Sequence, residues 1–110
     1  MEFERVYLVT SVPETHLNAV LDALAGAGAG VIGHYACCSF TSAGIGRFRP
    51  DAAAHPALGQ REQINAEAEI RVETFCPRER VKAITAALRA AHPYEEPVIY
   101  LLPLLSEADL

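Results

Sequence analysis

Two short segments of this chain hold the side chains that are best suited to chemistry. The first is Gly44–Pro50 (GIGRFRP). Its glycines let the backbone approach a ligand closely, and its arginines are bidentate donors for an anion. It is not a Walker loop, because neither a Gly-Lys-Ser/Thr ending nor a helix signal follows it. It predicts a ligand-binding loop, and the alternative is a mobile loop that orders only in an oligomer as Phe48 inserts into a neighbour. The candidate ligand-binding residues here are Gly44, Gly46, Arg47, Phe48, Arg49 and, further on, His55.

The second segment is the turn His92-Pro93-Tyr94-Glu95-Glu96-Pro97. Two prolines stiffen a turn that carries an imidazole, a phenol and two carboxylates, which together suit a hard or borderline divalent metal ion. We therefore predict His92 and Glu96 as candidate metal ligands, and Tyr94 and Glu95 as candidate ligand contacts. The competing interpretation is a helix stop, in which His92 and Glu96 hydrogen-bond to backbone groups at the helix end.

The remaining histidines, cysteines and serines are weaker candidates for metal binding or catalysis than these two segments. His34 and Cys38 form a second candidate metal pair, although Cys38 is primarily predicted to be a small buried residue on a strand face that it shares with His34. The serines lie in no nucleophile elbow, and no histidine has a recognisable orienting partner. No catalytic residue is predicted, and the sequence favours binding over catalysis. Acidic residues such as Glu69 are predicted to form a solvated strand face.

Composition limits the class of protein. A chain of 110 residues with 51% hydrophobic content predicts one domain, over 1–110. The net charge of -5 argues against nucleic acid, and no apolar run approaches the roughly 20 residues that span a bilayer. The acidic N-terminal residues do not resemble a signal peptide, and three cysteines, two of them adjacent, do not resemble a disulfide framework. We expect a cytoplasmic protein.

Hydrophobic periodicity predicts a strand over 3–10, a helix after a capping box at Ser11–Glu14, and a strand over 31–41. Residues 42–63 show no period. A strand with alternating faces follows over 66–74, then a helix from Pro77 to His92 and a strand over 98–102. The first helix should bury Leu17, Val20, Leu21 and Leu24, and the second Val81, Ile84, Leu88 and Ala91.

The two halves of the chain resemble each other at an offset of 64 residues, which aligns Thr10 with Thr74 and Pro13 with Pro77. Two β-α-β units in this order predict an α+β ferredoxin-like fold, an antiparallel sheet with both helices on one face. The other face should stay open, and apolar area there or at a sheet edge is predicted from Tyr7, Tyr35, Cys37 and the strand that ends at Leu102. Such a patch predicts self-association, and the alternative is a curled sheet with amphipathic cover.

Several motifs occur in an order that resembles a known family. They are Gly33–Phe40 (GHYACCSF), Gly44–Pro50, His55–Gly59 (HPALG), the strand Glu67–Glu73 and, most specific of all, the turn His92–Pro97. Together they resemble the domain inserted in YqfO-type members of the Nif-three-like dinuclear-metal proteins, here standing alone. The resemblance runs from about Gly33 to Leu104.

The resemblance implies a PII/CutA-like version of the ferredoxin-like fold and assembly into trimers or other symmetric oligomers through sheet edges. It also implies that Ser42–Gln63, between the second and third strands, is the ligand-contact loop. The dinuclear-metal ligands of that family lie in its flanking domain, so its hydrolase-like chemistry is not carried over to this chain.

Three functional hypotheses follow. The first is a small homo-oligomeric binding or regulatory protein, a trimer or dimer, in which residues 44–50, His55 and the turn 92–96 form clefts between subunits. The second is a metal-binding protein or metal-dependent enzyme that uses the His92–Glu96 turn and a divalent metal ion. The third is an interaction module for a separately encoded protein partner.

Overall fold

The computed structural model describes residues 2–110, and this part of the chain forms a four-stranded sheet with two α-helices. The elements are β1 (Arg5–Val12), α1 (Leu17–Gly26), β2 (Phe40–Phe48), β3 (Asn65–Pro77), α2 (Val81–Ala91) and β4 (Ile99–Leu104). The strand order is β2-β3-β1-β4, and all neighbours are antiparallel. Short 3-10 turns, Glu14–His16 and Arg78–Arg80, precede the helices at the predicted offset of 64 residues. The ferredoxin-like fold is confirmed.

The core lies between the helices and one face of the sheet. Alternate residues of β1 and β3 project towards the helices, because successive strand side chains point to opposite faces. Both predicted helix faces are confirmed, with Val20, Leu24, Ile84 and Leu88 buried and their predicted neighbours partly buried against them. The buried hydrophobic residues of the strands are Val6, Leu8, Val9, Val12, Val72 and Cys76.

A pair of buried threonines repeats the internal symmetry. The Thr10 hydroxyl donates to the Val98 carbonyl over 2.6 Å, and the Thr74 hydroxyl donates to the Cys38 carbonyl over 2.8 Å. Val98 and Cys38 each lie just before the strand that follows their helix. Each threonine therefore satisfies its own buried hydroxyl and ties the entry of the next strand to the sheet.

The predicted capping box at Ser11–Glu14 is wrong. Ser11 belongs to β1, where it pairs with Arg71 of β3, and within residues 2–110 no side chain caps α1. The strand begins at Arg5 and continues to Val12, and Pro13 then starts the first 3-10 turn. Pairing with the long strand β3 extends β1 past the point at which a local capping motif would have ended it.

The predicted strand over 31–41 is also wrong, since only Phe40 and Thr41 of that range lie in a strand. Gly33 (φ 56°) and Cys37 (φ 59°) have left-handed backbone conformations, which interrupt an extended chain. His34 and Cys38 therefore share no strand face. His34 is exposed and Cys38 is partly exposed, rather than buried as predicted.

The structure shortens the predicted central loop. Phe40–Phe48 pairs with β3 along its whole length, from Phe40 opposite Glu73 to Phe48 opposite Asn65. Gly44, Gly46 and Arg47 consequently lie in a strand, and the loop, here called the central loop, comprises only residues 49–64. The 13-residue strand β3 offers an edge for this pairing, which the weakly apolar sequence of β2 does not reveal.

The alternation predicted for β3 is confirmed only where the helices cover it. Val72, Thr74 and Cys76 are buried, whereas Ala66 and Ala68 are exposed. The β2-β3 hairpin extends past the helices, so both of its faces are accessible at that end. Among residues 2–110, no helix is long and apolar enough to cross a membrane.

Candidate functional site: a cavity between the central loop and the 92–97 turn

A cavity of about 550 Å³ lies where the end of β2 and the central loop meet the 92–97 turn and the start of β4. It brings together the two segments that the sequence singled out. The prediction placed them in clefts between subunits, whereas the structure joins them within one chain. Lining residues are Ser11, Gly46, Arg47, Phe48, Arg49, Pro50, Ala54, Pro56, Ala57, Leu58, Glu69, Tyr94, Glu95, Glu96, Val98 and Tyr100.

Contacts within the chain hold the central loop against the turn. The His55 N–H donates to Glu95 Oε1 over 2.8 Å, a contact between residues 40 positions apart. The Phe48 ring lies 6.4 Å from the Tyr94 ring. The Arg61 guanidinium donates to the Ala54 carbonyl and lies 3.2 Å from His55 Nδ1. Phe48 therefore packs against Tyr94 of its own chain. These intrachain contacts hold the central loop in place without a neighbouring subunit.

Buried Asn65 closes the far end of the central loop. Its Oδ1 accepts from the Gln60 N–H over 3.0 Å, and its Nδ2 donates to the carbonyls of Gln60 and Gln63 over 2.8 and 3.0 Å. An amide that uses both of its ends in this way gives residues 60–65 a defined turn. The sequence prediction missed this residue, although a single asparagine before a strand is a common turn signal.

His92 connects the turn to the sheet. It is 7% exposed, its Nε2 lies 2.7 Å from the Ser11 carbonyl, and its Nδ1 lies 3.1 Å from the Tyr94 N–H. Since a carbonyl only accepts and an N–H only donates, Nε2 carries the proton and Nδ1 accepts. Burial lowers the pKa of the His92 imidazole, which favours this neutral tautomer. These backbone bonds correspond to the competing helix-stop interpretation.

The candidate metal ligands are dispersed. Both ring nitrogens of His92 are engaged, while Glu96 is exposed and lines the cavity. In the described range, residues 2–110, no three His, Cys, Asp or Glu side chains form a group that could hold a metal ion. The arrangement does not fit a metal ion held by protein ligands alone, and a divalent metal at His92 and Glu96, or at His34 and Cys38, stays a prediction.

Glu69 is a site residue that the sequence interpretation assigned to a solvated strand face. Its side chain lies over Gly46, so closely that a Cβ on Gly46 would lie 2.6 Å from Glu69 Cδ. Glycine within a strand often marks such a close approach, and this signal in β2 could have identified the site. The absent side chain of Gly46 thus creates the space in which the Glu69 carboxylate lies.

Tyr94 stands beside Glu69 in the cavity wall. Its hydroxyl is buried, and no atom of residues 2–110 forms a hydrogen bond with it. Burial and the nearby Glu69 carboxylate raise the pKa of the Tyr94 phenol far above its ordinary value. The wall of the cavity therefore places the protonated Tyr94 hydroxyl beside the Glu69 side chain.

Two arginines complete the polar lining. Arg47 and Arg49 both border the cavity, and both are exposed. Arg49 Nη2 lies 3.4 Å from the Glu62 carbonyl, a long contact that leaves most of its donors available. The cavity therefore combines apolar and aromatic walls, carboxylates and two guanidinium groups. It can enclose a flat, partly polar molecule and attract an anionic substituent.

The chain is similar to known proteins along most of its length, although no family model matches it. It is 39% identical over 102 residues to the GTP cyclohydrolase 1 type 2 homolog of Halalkalibacterium halodurans, which covers 93% of this chain and 27% of that protein. The crystal structure of a Bacillus cereus protein related to NIF3 matches with a TM-score of 0.81 and 37% identity, over 93% of this chain and 26% of that one.

CutA1 from the psychrotrophic bacterium Shewanella sp. SIB1 matches with a TM-score of 0.71 and 17% identity, over 96% of this chain and 86% of that one. This match confirms the CutA-like fold. The chain spans about a quarter of the length of the curated relatives that it matches.

Proposed function

We propose, on the premise that this chain is a relative of one segment of the Nif-three-like proteins, that it is a small binding or regulatory protein whose ligand occupies the cavity. The family resemblance seen in the sequence is confirmed by identities of 39–43% to those relatives. The observation that carries the proposal is the single cavity that unites residues 46–50 with the 92–97 turn.

The cavity has the properties of a small-molecule site. Such sites usually have volumes of roughly 300–1,000 Å³, mostly apolar walls and a few polar groups that orient the ligand. Phe48, Tyr94 and Tyr100 supply flat surfaces here, while Arg47 and Arg49 supply cationic donors at the same cavity. The relatives' name refers to GTP. Purine nucleotides, which join a flat ring to an anionic group, are therefore the first ligands to test.

Isothermal titration calorimetry with GTP and with ATP tests this proposal. We expect at least one of them to bind, because ring stacking and phosphate binding do not depend on which base is present. Phe48→Ala should weaken binding at least about fivefold through lost stacking. The matched control is Tyr35→Ala, which removes an aromatic ring that is 74% exposed and does not line the cavity, and it should leave affinity unchanged. Binding of neither nucleotide at millimolar concentrations contradicts the proposal.

The open sheet face supports self-association as the second part of this function. Phe40, Tyr100 and Leu102 lie on the face away from the helices, and they are 67%, 62% and 53% exposed. Tyr7 shares this face, as predicted, whereas Tyr35 and Cys37 lie in residues 31–39, outside the strands. Apolar side chains concentrated on one face indicate a contact surface.

Light scattering at two protein concentrations measures the assembly. We expect a homo-oligomeric mass, dimer or trimer, and a lower mass for Leu102→Glu, since a buried carboxylate strongly opposes association. Val31→Glu is the matched control, because Val31 is also 53% exposed but lies outside the strands. A monomeric mass for the unmodified protein contradicts this part of the proposal.

A further inference from the structure

The central loop also borders a second, more polar depression beside the cavity. This depression, here called the 55–61 depression, has a volume of about 540 Å³, and Pro56 lines both it and the cavity. Its lining residues are His55, Pro56, Gly59, Gln60 and Arg61. The central loop therefore contributes to two neighbouring spaces, of which the cavity has the aromatic walls.

The 55–61 depression and the cavity differ in charge. Three of the residues that line the cavity are glutamates and two are arginines. Among residues 2–110 no carboxylate lines the 55–61 depression, whereas Arg61 does. The one ion pair in this described range joins Arg71 to Glu73, so no carboxylate neutralises the Arg61 guanidinium at ion-pair distance. On a chain of net charge -5, the depression is thus a local positive site.

Arg61 and His55 hold each other in a defined orientation. Arg61 Nε donates to the Ala54 carbonyl, and Arg61 Nη2 lies 3.2 Å from His55 Nδ1. Since a guanidinium only donates, His55 Nδ1 accepts and the imidazole proton lies on Nε2. Two of the five Arg61 N–H donors are thus engaged and three remain, and the His55 Nε2–H is a further donor. The pair offers several N–H groups to an acceptor that enters the depression.

Contacts within the chain order the backbone around the 55–61 depression. The His55 N–H donates to Glu95 Oε1. Buried Asn65 bonds to both the backbone N–H and the carbonyl of Gln60. Gly59 packs against the same asparagine, since its φ is 83° and a Cβ on it would lie 2.7 Å from Asn65 Cγ. A site that is ordered in advance loses less conformational entropy when a ligand binds.

We propose that the 55–61 depression is an oxyanion-binding site, which recognises a phosphate or a carboxylate group. Two N–H groups of a guanidinium lie parallel in one plane, and this arrangement matches two oxygen atoms of either group. Arg61 donates to the anion in this bidentate manner, and the His55 Nε2–H donates to the same anion. The site is separate from the cavity and does not depend on the ligand of the cavity. The anion is bound and released unchanged.

Titration of the isotopically labelled protein with inorganic phosphate, followed through its amide NMR signals at constant ionic strength, tests this site. We expect saturable shifts centred on residues 59–61. Arg61→Gln should weaken phosphate binding at least about fivefold, because charge-assisted hydrogen bonds are lost. Arg61→Lys should restore only part of the affinity, since an ammonium group keeps the charge but not the parallel donors. Arg89→Gln is the matched control, because it removes the same charge from an exposed position on α2 and should leave the affinity unchanged.

Arg49→Gln separates the 55–61 depression from the cavity, because Arg49 lines only the cavity. It should leave phosphate binding unchanged. Loss of phosphate binding in Arg49→Gln but not in Arg61→Gln would place the anion in the cavity, which overturns the site and leaves the proposed function intact. Shifts no larger than those caused by chloride overturn it as well, and so does equal weakening by Arg61→Gln and Arg89→Gln.

Acetate in place of phosphate distinguishes the two kinds of oxyanion. Tighter binding of either one supports the site and identifies the group that it prefers, and similar affinities show that it accepts both. His55→Ala provides a second route if Arg61→Gln does not fold. It removes one donor while Arg61 stays in place, and it should also weaken phosphate binding. Unchanged phosphate affinity in His55→Ala and in Arg61→Lys together would overturn the site.

Discussion

Replacing Gly46 by alanine tests the central feature of the site, the close approach of Glu69 to β2. Gly46 and Gly44 lie two residues apart on the same strand and face, opposite Glu67 and Glu69 of β3. A Cβ on Gly46 would collide with the Glu69 carboxyl group, whereas a Cβ on Gly44 would meet no described atom within 4 Å. The two glycines therefore form a matched pair that differs in this one contact.

The expected magnitudes follow from this difference. Gly→Ala at a compatible backbone position stabilises a protein by about 0.4–1 kcal/mol, since it restricts the unfolded chain. We expect this gain for Gly44→Ala. In Gly46→Ala the Glu69 side chain has to leave its rotamer, which costs about 0.5–1.5 kcal/mol and removes the gain. The variants should differ in free energy of unfolding by about 1 kcal/mol.

Urea unfolding of both variants, made also in a Glu69→Ala background, measures this contact as a double-mutant cycle. Without the Glu69 side chain, Gly46→Ala should become as stabilising as Gly44→Ala. A difference between the two variants that persists in the Glu69→Ala background would refute the reasoning, because the carboxylate would then not be the group that collides with the new methyl group.

Two further predictions concern stability. Because the folded pKa of His92 is lowered, the unfolded chain binds more protons below pH 6.5, and stability should fall as pH drops from 7.5 to 5.5. Urea midpoints should show this fall, and His92→Gln should flatten it; an unchanged slope would contradict the role of the neutral imidazole. Gly30→Ala should cost at least about 2 kcal/mol, because Gly30 has a φ of 77° and its Cβ would lie 2.7 Å from the Cys38 nitrogen. Gly26→Ala, with no described neighbour within 4 Å, should not be destabilising in the same urea assay.

The site was predictable in its segments but not in its geometry. Residues 44–50 and 92–97 were identified from their types, and both border the cavity. Glu69 was not identified, because an acidic residue in an alternating strand has the same pattern whether it faces water or a partner strand. His92 was assigned to two competing roles, and only its distances to Ser11 and Tyr94 show the backbone bonds that it forms.

The sequence by itself determined the doubled β-α-β unit, the buried faces of both helices and the proline-marked helix starts. These features are local, since helical and strand periodicities are spacings between hydrophobic residues a few positions apart. The 64-residue offset showed that the two local patterns are repeats of one unit, which predicted the ferredoxin-like topology. The family resemblance implied the same topology.

Only the tertiary structure decided that Phe40–Phe48 is a strand, that residues 31–39 are not, and that the central loop closes on the 92–97 turn. Each depends on a distant partner: β2 on the free edge of β3, and the loop on a bond between His55 and Glu95. Such pairings are selected by the free energy of the whole fold. A glycine-rich segment with little periodicity contains no local sequence pattern that predicts them. The cavity exists because these long-range contacts form together.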